Sequence, residues 1–428
     1  MPRSRISPSL INHNQGAGIK KKGLVSTIGY SGVLPSIISR RVYQFINTII
    51  RNNRKYSNIF RGKYTSQVLT TENELYSWGL NYDGQYGNGT NNNSNKPVNT
   101  SILNTIKVSG GALFSASVFS DNKLYSWGNN ELGELGNGTI TNSNVPVAVD
   151  MTGVLLGKTI SQISCGHNFT VVLASDNKLS SWGYGFAGQL GNNANTDSSV
   201  PVAVDMTGVL LGKTITQISC GDTFTAVLTS DNNVYSWGIG VDGQLGNNTN
   251  TNSNVPVAVD MTGVLLGKTI TQISSGVSFC ICLTTDNNLY SWGINGQGEL
   301  GDGTLVSTTT PTTVDMGGVL IGKTISQISC AGSFSLVLTT DNELYSWGYN
   351  GNGQLGDGTN TIGSVPVAVV MSGVLLGKTI TQISCYTYHS LVLTSEGDLY
   401  SWGWNVVGLL GDGTNTDSSV PVAVSPTS

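Results

Sequence analysis

The tripeptide Ser-Trp-Gly occurs seven times in this chain at nearly constant intervals. The first interval is 49 residues and the other five are 55, counted between Trp78, Trp127, Trp182, Trp237, Trp292, Trp347 and Trp402. Each copy is followed by a turn of the form Gly-x-Leu-Gly, or a near variant, and then by a proline that opens the next unit. Self-similarity at a fixed period indicates a repeated supersecondary unit, and it constrains the fold more than length or composition does.

One repeat is consistent with four short strands. In the fourth unit we predict them at 201–204, 214–220, 225–229 and 234–237, with turn residues such as Ser230 and Asp231 between the last two. Four strands in each of several tandem repeats predict the blades of a β-propeller. Each repeated tryptophan is predicted to pack between adjacent blades.

The number of strands also predicts how the ring closes. Only three strands, from Asn58 to Trp78, accompany the first Ser-Trp-Gly, and an orphan strand, Pro421–Val424, follows the last. Pairing that C-terminal strand with the N-terminal strands of residues 58–79 would complete a blade and leave no open edge. We therefore predict an all-β, seven-bladed propeller over residues 56–428, closed by pairing of its N- and C-terminal strands.

The residues of the repeat also carry a family resemblance. Ile-Ser-Cys-Gly, Val-Leu-Thr-Ser-Asp, Leu-Tyr-Ser-Trp-Gly and Gly-Gln-Leu-Gly, with Pro-Val after them, resemble the regulator of chromosome condensation repeat over about residues 56–428. The resemblance implies the same seven-bladed fold. The family often has a histidine after the second-strand glycine, and here only His389 keeps it. Thr65 holds the position in the first unit, and the other five units have phenylalanine, at Phe114, Phe169, Phe224, Phe279 and Phe334.

The resemblance implies two classes of function. The best-known member of the family is a nucleotide exchange factor for the small GTPase Ran and also docks on chromatin. Its exchange activity depends on a wedge-like insertion in one blade, whereas five successive intervals of 55 residues leave no blade with an insertion here. We therefore favour a non-enzymatic scaffold for protein–protein interaction, a structural component of a larger assembly or virus particle. An exchange factor or chromatin-docking protein is the alternative.

Side chains suited to catalysis are sparse in this sequence. The three histidines, His13, His167 and His389, fall in the N-terminal segment and in two separate repeats. A nucleophile needs a base and an orienting partner in the same site, so we expect no enzyme. The sequence also lacks the phosphate-binding motif Gly-x4-Gly-Lys, and we expect no cofactor.

Cysteines and acidic turns favour structural roles over metal binding. Four of the six cysteines recur in Ile-Ser-Cys, and equivalent positions in different blades are too far apart for a disulfide. We predict that all six are free, half-buried hydrophobic residues. The Asp-Gly-Thr turns offer one carboxylate per repeat, whereas calcium takes six to eight oxygens, so they indicate turns and no metal site.

Comparing the repeats with one another separates constant from variable segments. The sequence Val-Asp-Met-Thr-Gly-Val-Leu-Leu-Gly-Lys-Thr recurs at 149–159, 204–214 and 259–269. The four residues after each Ser-Trp-Gly and the two after the second predicted strand vary freely, and in an up-and-down blade both emerge on one face. We predict that this face binds another protein, because exposed aromatic residues are typical of hot spots, although neutral drift of solvent loops is an alternative. Its aromatic residues are Tyr64, Tyr82, Tyr184, Phe186, Tyr349, Tyr386, Tyr388 and Trp404.

Charge divides the chain into a basic arm and an acidic body. Residues 1–71 carry twelve Lys or Arg and no acid, whereas residues 72–428 carry nine Lys and all 25 acids. We predict a partly disordered arm over 1–55 with an amphipathic helix at 36–51. Its role is open between docking on the acidic propeller, anchoring into an assembly, nucleic-acid binding or nuclear import, and an organellar transit peptide. The candidate anchor residues are Lys20, Lys21, Lys22, Ile38, Arg40, Arg41, Val42, Phe45 and Ile49.

The sequence shows neither a secretory signal nor a stretch of ~20 apolar residues that would span a membrane. We therefore expect an intracellular protein, with a virus particle or the nucleus as alternative locations.

Overall fold

Turn residues divide the repeat into short antiparallel strands. The computed structural model describes residues 55–60, 62–385 and 387–426. Within these ranges the chain forms 28 strands in seven four-stranded sheets, and each sheet pairs four strands that are consecutive in the chain. The seven-bladed β-propeller predicted from the repeat is confirmed. A single turn of 3-10 helix, Gly318–Leu320, lies in one connection between blades.

The first two strands of each blade carry the Ile-Ser-Cys segment and the apolar run that follows it. The first strands of blades 1 to 7 are β1 Tyr56–Phe60, β5 Thr105–Gly110, β9 Ile160–Cys165, β13 Ile215–Cys220, β17 Ile270–Ser275, β21 Ile325–Ala331 and β25 Ile380–Cys385. The second strands are β2 Thr65–Thr70, β6 Phe114–Phe119, β10 Phe169–Ala174, β14 Phe224–Thr229, β18 Phe279–Thr284, β22 Phe334–Thr339 and β26 His389–Thr394.

The last two strands of each blade carry Ser-Trp-Gly and the Pro-Val segment. The third strands are β3 Leu75–Gly79, β7 Leu124–Gly128, β11 Leu179–Gly183, β15 Val234–Gly238, β19 Leu289–Gly293, β23 Leu344–Gly348 and β27 Leu399–Gly403. The fourth strands are β4 Ser94–Asn99, β8 Ser143–Ala148, β12 Ser198–Ala203, β16 Ser253–Ala258, β20 Thr308–Thr313, β24 Gly363–Ala368 and β28 Ser418–Ala423.

The first strands lie innermost and join the blades around the axis. They contact the first strands of neighbouring blades, and their Ile and Ser side chains line an axial channel of about 310 Å³. The serine of Ile-Ser-Cys accepts a hydrogen bond from the next blade, as from the backbone N–H of Cys220 to Ser164 Oγ at 3.0 Å. Cys385 donates in the same way to Ser329 at 2.9 Å. The constancy of Ile-Ser-Cys therefore has a structural reason.

Each Ser-Trp-Gly tryptophan joins its blade to a neighbouring blade. All seven indole rings are completely buried. Each Nε1 donates to a backbone oxygen in the Gly-x-Leu-Gly turn of the adjacent blade at 2.7–3.1 Å. In blade 4, for example, Trp237 donates to the carbonyl of Gln189 at 2.9 Å. The predicted packing of these residues between blades is confirmed.

The structure differs from the sequence prediction in how the terminal strands pair. Strand β28 pairs with β27 inside blade 7, with Val422 opposite Ser401, and not with the strands of residues 58–79. Blade 1 is completed by its own fourth strand, β4. The segment after each Ser-Trp-Gly is long enough to return the chain to the same sheet, so the Pro-Val strand ends a blade instead of opening the next one.

Blades 7 and 1 are joined by contacts that recur between other neighbouring blades. Trp78 Nε1 donates to the carbonyl of Leu409 at 2.8 Å, and the backbone N–H of Ile59 donates to Gln382 Oε1 at 3.1 Å. The ring is therefore closed by side-chain packing and hydrogen bonds between sheets. We call this boundary between blades 7 and 1 the seam.

Replacing Gly411 with alanine is expected to destabilise the seam. Gly411 has φ +68°, and a Cβ there would lie 2.6 Å from Trp78 Nε1, so strain of ~1–2 kcal/mol adds to overpacking of ~1–3 kcal/mol. Gly377 has φ +72° but no atom within 4 Å of its added Cβ, so Gly377→Ala carries the backbone strain alone. Urea denaturation of both variants measures the difference, and equal losses would contradict the close approach at Gly411.

Candidate binding face

The antiparallel order of the strands sorts the loops onto two faces. Loops between first and second strands, such as 221–223, emerge beside loops between third and fourth strands, such as 239–252. We call their common side the variable face, because these are the segments that differ between repeats. The turns between second and third strands and the connections between blades lie on the opposite side, the constant face.

One backbone hydrogen bond, repeated seven times, holds the variable loops in a common frame. In every blade the residue two positions after the tryptophan donates its N–H to the carbonyl of the residue before the second strand, at 2.8–3.0 Å. Tyr349 donates to Ser333 at 2.8 Å and Trp404 to Tyr388 at 2.9 Å. The seven loops therefore differ in their side chains but share the same backbone hydrogen bond.

A second chain of backbone hydrogen bonds surrounds the channel on the variable face. His167 donates to the carbonyl of Asp222 at 2.8 Å, and Asp222 donates to Val277 at 3.3 Å, each bond joining one blade to the next. Lys63 and Ala112 donate to the following blades in the same way. These loops narrow the channel to a cavity of about 50 Å³ at its mouth.

Three charged or titratable side chains from different blades meet at this mouth. Lys63 Nζ lies 2.6 Å from Asp222 Oδ2 and 2.9 Å from His167 Nδ1, and His167 Nδ1 lies 3.1 Å from the same carboxylate oxygen. Burial opposes ionisation of Asp222, but the hydrogen bond from His167 and the charge of Lys63 outweigh it and hold its pKa below the ordinary value. We call these residues the mouth triad.

Sequence reasoning did not identify the mouth triad. Lys63, His167 and Asp222 occupy the same position in three repeats, two residues after the Cys position of Ile-Ser-Cys. Blades 2, 5 and 6 have Ala112, Val277 and Gly332 at that position. The mouth triad could have been predicted from this shared position, because equivalent residues in a closed ring of blades face the same axis.

An aromatic cluster spans the seam on the variable face. The rings of Tyr64 and Tyr388 stack at 5.8 Å between centroids and 29° between planes. Trp404 lies 5.2 Å from Tyr388 at 59°. All three side chains are partly exposed. The fold therefore brings together three of the predicted binding-face residues, one from blade 1 and two from blade 7.

The other predicted site residues are not part of this cluster. Tyr82 and Phe186 are 68% and 71% exposed, in blades 1 and 3, and Tyr184 and Tyr349 are partly buried in blades 3 and 6. Tyr386 lies outside the described residues. So do the helix predicted at 36–51 and the candidate anchor residues Lys20, Lys21, Lys22, Ile38, Arg40, Arg41, Val42, Phe45 and Ile49.

His389 forms a serine–histidine pair that is sealed from solvent. Its Nε2 lies 2.7 Å from Ser66 Oγ across the seam, and both side chains are completely buried. Burial lowers the pKa of His389 to about 3, so the imidazole is a poor base at neutral pH. A buried nucleophile without access for a substrate does not form an active site, and the pair is a packing contact between blades 7 and 1.

The cysteines and the acidic turns have structural roles. All six cysteines are outside disulfides, as predicted, but they are buried where half-buried side chains were expected. In the Asp-Gly-Thr turn of blade 5, Asp302 Oδ1 accepts hydrogen bonds from the backbone N–H and the hydroxyl of Thr304 at 2.9 and 2.8 Å, which stabilises the turn. Across residues 55–60, 62–385 and 387–426, no group of three metal-ligating side chains is arranged to hold an ion.

Among the residues that the structure describes, no helix has the length and apolar character needed to cross a bilayer.

Comparison with known protein families gives matches along most of the propeller. The model of the RCC1-like domain matches residues 204–428. The model of the regulator of chromosome condensation (RCC1) repeat matches residues 72–118, 121–173 and 176–228.

Two curated relatives are about one third identical to this chain over the residues that align with it. The ultraviolet-B receptor UVR8 of Arabidopsis thaliana is 33% identical over 269 residues, which are 63% of this chain and 58% of that protein. The E3 ubiquitin-protein ligase HERC2 of Homo sapiens is 32% identical over 364 residues, which are 83% of this chain and 7% of that protein. The matched region thus covers less than two thirds of either relative.

Two solved structures share the fold at lower identity. Human WBSCR16 superposes with a TM-score of 0.70 at 23% identity, over 80% of this chain and 88% of that one. Yeast RCC1 (Prp20), in a structure with Kap60, gives a TM-score of 0.71 at 21% identity, over 82% and 83% of the two chains.

Proposed function

Because this chain belongs to the family of proteins with regulator of chromosome condensation (RCC1) repeats, we propose that it is a non-enzymatic module that binds another protein through its variable face. Yeast RCC1, which shares this fold, has been solved bound to another protein, Kap60. The activities of UVR8 and HERC2 belong to those whole proteins, of which this chain matches only a part.

The aromatic cluster at the seam is the observation that carries the proposal. Tyr64, Tyr388 and Trp404 are large, partly exposed side chains that come from opposite ends of the propeller sequence. Clustered Tyr and Trp residues that keep one side accessible are characteristic of binding hot spots, because they bury much area with little loss of side-chain entropy. The repeated backbone hydrogen bond holds Trp404 against Tyr388 before any partner arrives.

The mouth triad gives the same face a polar centre. Lys63 and Asp222 neutralise one another at 2.6 Å, so the triad offers donors and acceptors without an uncompensated charge. Lys63 Nζ also lies 6.0 Å from the ring centroid of Tyr64, which connects the triad to the aromatic cluster. An apolar anchor beside oriented polar groups is the usual composition of a specific interface.

Changing Tyr388 and Trp404 together to alanine is expected to abolish partner capture. Truncation of a hot-spot aromatic costs ~2 kcal/mol or more, so affinity should fall by at least about 30-fold. The purified full-length chain is immobilised, incubated with extract from cells that produce it, and the retained proteins are quantified by mass spectrometry. The matched control is Tyr82→Ala with Phe186→Ala, which removes two aromatics that are more exposed and lie outside the cluster.

The outcome distinguishes a binding face from loops under neutral drift. Loss of the same proteins from both double variants would show that the cluster has no special role. Unchanged capture by the Tyr388 and Trp404 variant would contradict the proposal outright. Thermal denaturation of each variant identifies any loss that comes from unfolding.

The basic arm has a separate proposed role. We propose that the arm, residues 1–55, attaches the propeller to an acidic surface, a nucleic acid or an assembly, because the sequence of residues 1–71 carries twelve basic residues and no acid.

Among the described residues, no observation favours the alternative of nucleotide exchange. The segments between third and fourth strands have the same length, fourteen residues, in all seven blades, for example 239–252 and 404–417.

A further inference from the structure

The constant face exposes a repeated set of apolar side chains. Each of the five long connections between blades 2 and 7 carries one Leu or Ile that is 70–76% exposed and one Val that is 39–42% exposed. We call these five connections, 149–159, 204–214, 259–269, 314–324 and 369–379, the apolar arc. The Leu and Ile residues are Leu156, Leu211, Leu266, Ile321 and Leu376.

The exposure is imposed by a fixed backbone. In the connection 204–214, Leu210 is 1% exposed and packs in the core between blades 3 and 4. Asn177, with φ +65°, donates from Nδ2 to the carbonyl of Lys213 at 2.7 Å and accepts from the N–H of Ile215 at 2.7 Å. With Leu210 buried on one side and the backbone held at Lys213 and Ile215 on the other, the side chain of Leu211 lies 73% exposed.

The lysines near these side chains are paired with carboxylates of the same chain. A lysine follows each exposed Leu or Ile by two residues, and each of these lysines pairs with an Asp at the turn between second and third strands. Lys268 Nζ, for example, lies 2.6 Å from Asp286 Oδ2. Two copies of this surface can therefore approach without bringing unpaired ammonium groups together.

We propose that two copies of this chain form a dimer by apposing their constant faces. The five Leu or Ile side chains and five valines offer on the order of 1,000 Å² of exposed surface per copy, against the roughly 800 Å² per partner of a stable interface. A second copy is the partner that presents the same side chains at the same spacing. Closed two-fold dimers are the commonest symmetric assemblies.

The position of the apolar arc fixes the two-fold axis. The arc occupies five of the seven blade boundaries, and the other two carry the short connection 100–104 and the chain ends. Only an axis through the middle connection, 259–269, places all five connections of one copy on all five of the other. Leu266 then meets Leu266 of the second copy, and Leu211 meets Ile321 of the second copy.

A cysteine at position 266 tests this geometry in the full-length chain. The six native cysteines are buried, so an introduced surface thiol reacts selectively. Leu266→Cys is expected to form a covalent dimer with a short bismaleimide crosslinker, seen as a doubled mass on a denaturing gel. Leu211→Cys alone should stay monomeric on that gel, whereas Leu211→Cys combined with Ile321→Cys should crosslink. Equal crosslinking of Leu211→Cys and Leu266→Cys would overturn the axis.

Sedimentation velocity tests the dimer without modification. Leu266→Asp places two carboxylates together at the axis and should weaken the dimer by about tenfold or more. Phe186→Asp, which changes an equally exposed residue on the variable face, should leave the dimer unchanged. A wild-type chain that sediments as a monomer at about 100 µM, or a dimer that only Phe186→Asp weakens, overturns the proposal.

Discussion

Replacing Trp237 with alanine is expected to lower the free energy of unfolding by ~3–5 kcal/mol. The indole is completely buried between blades 3 and 4, and its Nε1 donates to the carbonyl of Gln189 at 2.9 Å. Truncation leaves a large cavity and a buried carbonyl without its donor. The loss is measured by urea denaturation followed by circular dichroism.

Trp404→Ala is the matched control for this change. Trp404 is the eighth tryptophan, partly exposed on the variable face and outside the Ser-Trp-Gly positions. Its removal should cost less than ~1.5 kcal/mol, because the ring packs mainly on Tyr388. If both changes destabilise the chain equally, the seven repeated tryptophans do not have the special structural role assigned to them.

Acid should destabilise this protein through His389. Burial lowers the pKa of His389 to about 3, whereas an unfolded histidine titrates near 6.5. Between these values the unfolded state binds one more proton, so the stability due to the neutral imidazole is complete above pH 6.5 and is lost as the pH falls. The slope is ~1.4 kcal/mol per pH unit, which gives ~2 kcal/mol between pH 6.5 and 5.

His389→Phe removes this titration and restores the residue found at the same position in five other blades. Ser66 still donates to the carbonyl of Leu409 at 2.9 Å, so its hydroxyl keeps a partner. The difference in unfolding free energy between the variant and wild type should therefore grow in favour of the variant as the pH is lowered from 6.5 to 5. A difference that does not change with pH would mean that His389 is not held neutral in the folded chain.

The repeat predicts the blades but not where each blade starts. The period and the four-strand pattern are local properties of the sequence, so the seven blades and the buried tryptophans could be predicted. A periodic sequence has no marked origin, however, and the strand at 201–204 fits equally well at the start of one blade or the end of another. The pairing of Ser181 with Val202 in blade 3 decides this, and it depends on the path of the intervening loop.

The candidate site shows the same limit. Variability between repeats and strand order together predicted the face that Tyr64, Tyr388 and Trp404 share. Their stacking depends on the distance between blades 7 and 1, which no local pattern contains. The mouth triad depends on the width of the channel, since Lys63 meets Asp222 from a blade that is not its neighbour. Contacts between side chains at equivalent positions of different repeats are therefore found only in the closed ring.

The seam has a consequence for the order of folding. The Trp-to-carbonyl bond joins residues 48 apart at Trp237, but residues 331 apart at Trp78. Closing so long a loop costs more entropy, so the seam should form last and open first. The aromatic cluster spans the seam, so a partner that binds Tyr64 and Tyr388 together contacts blades 1 and 7 at once. Its binding free energy then adds to the free energy needed to open the ring, and partner binding stabilises the closed propeller.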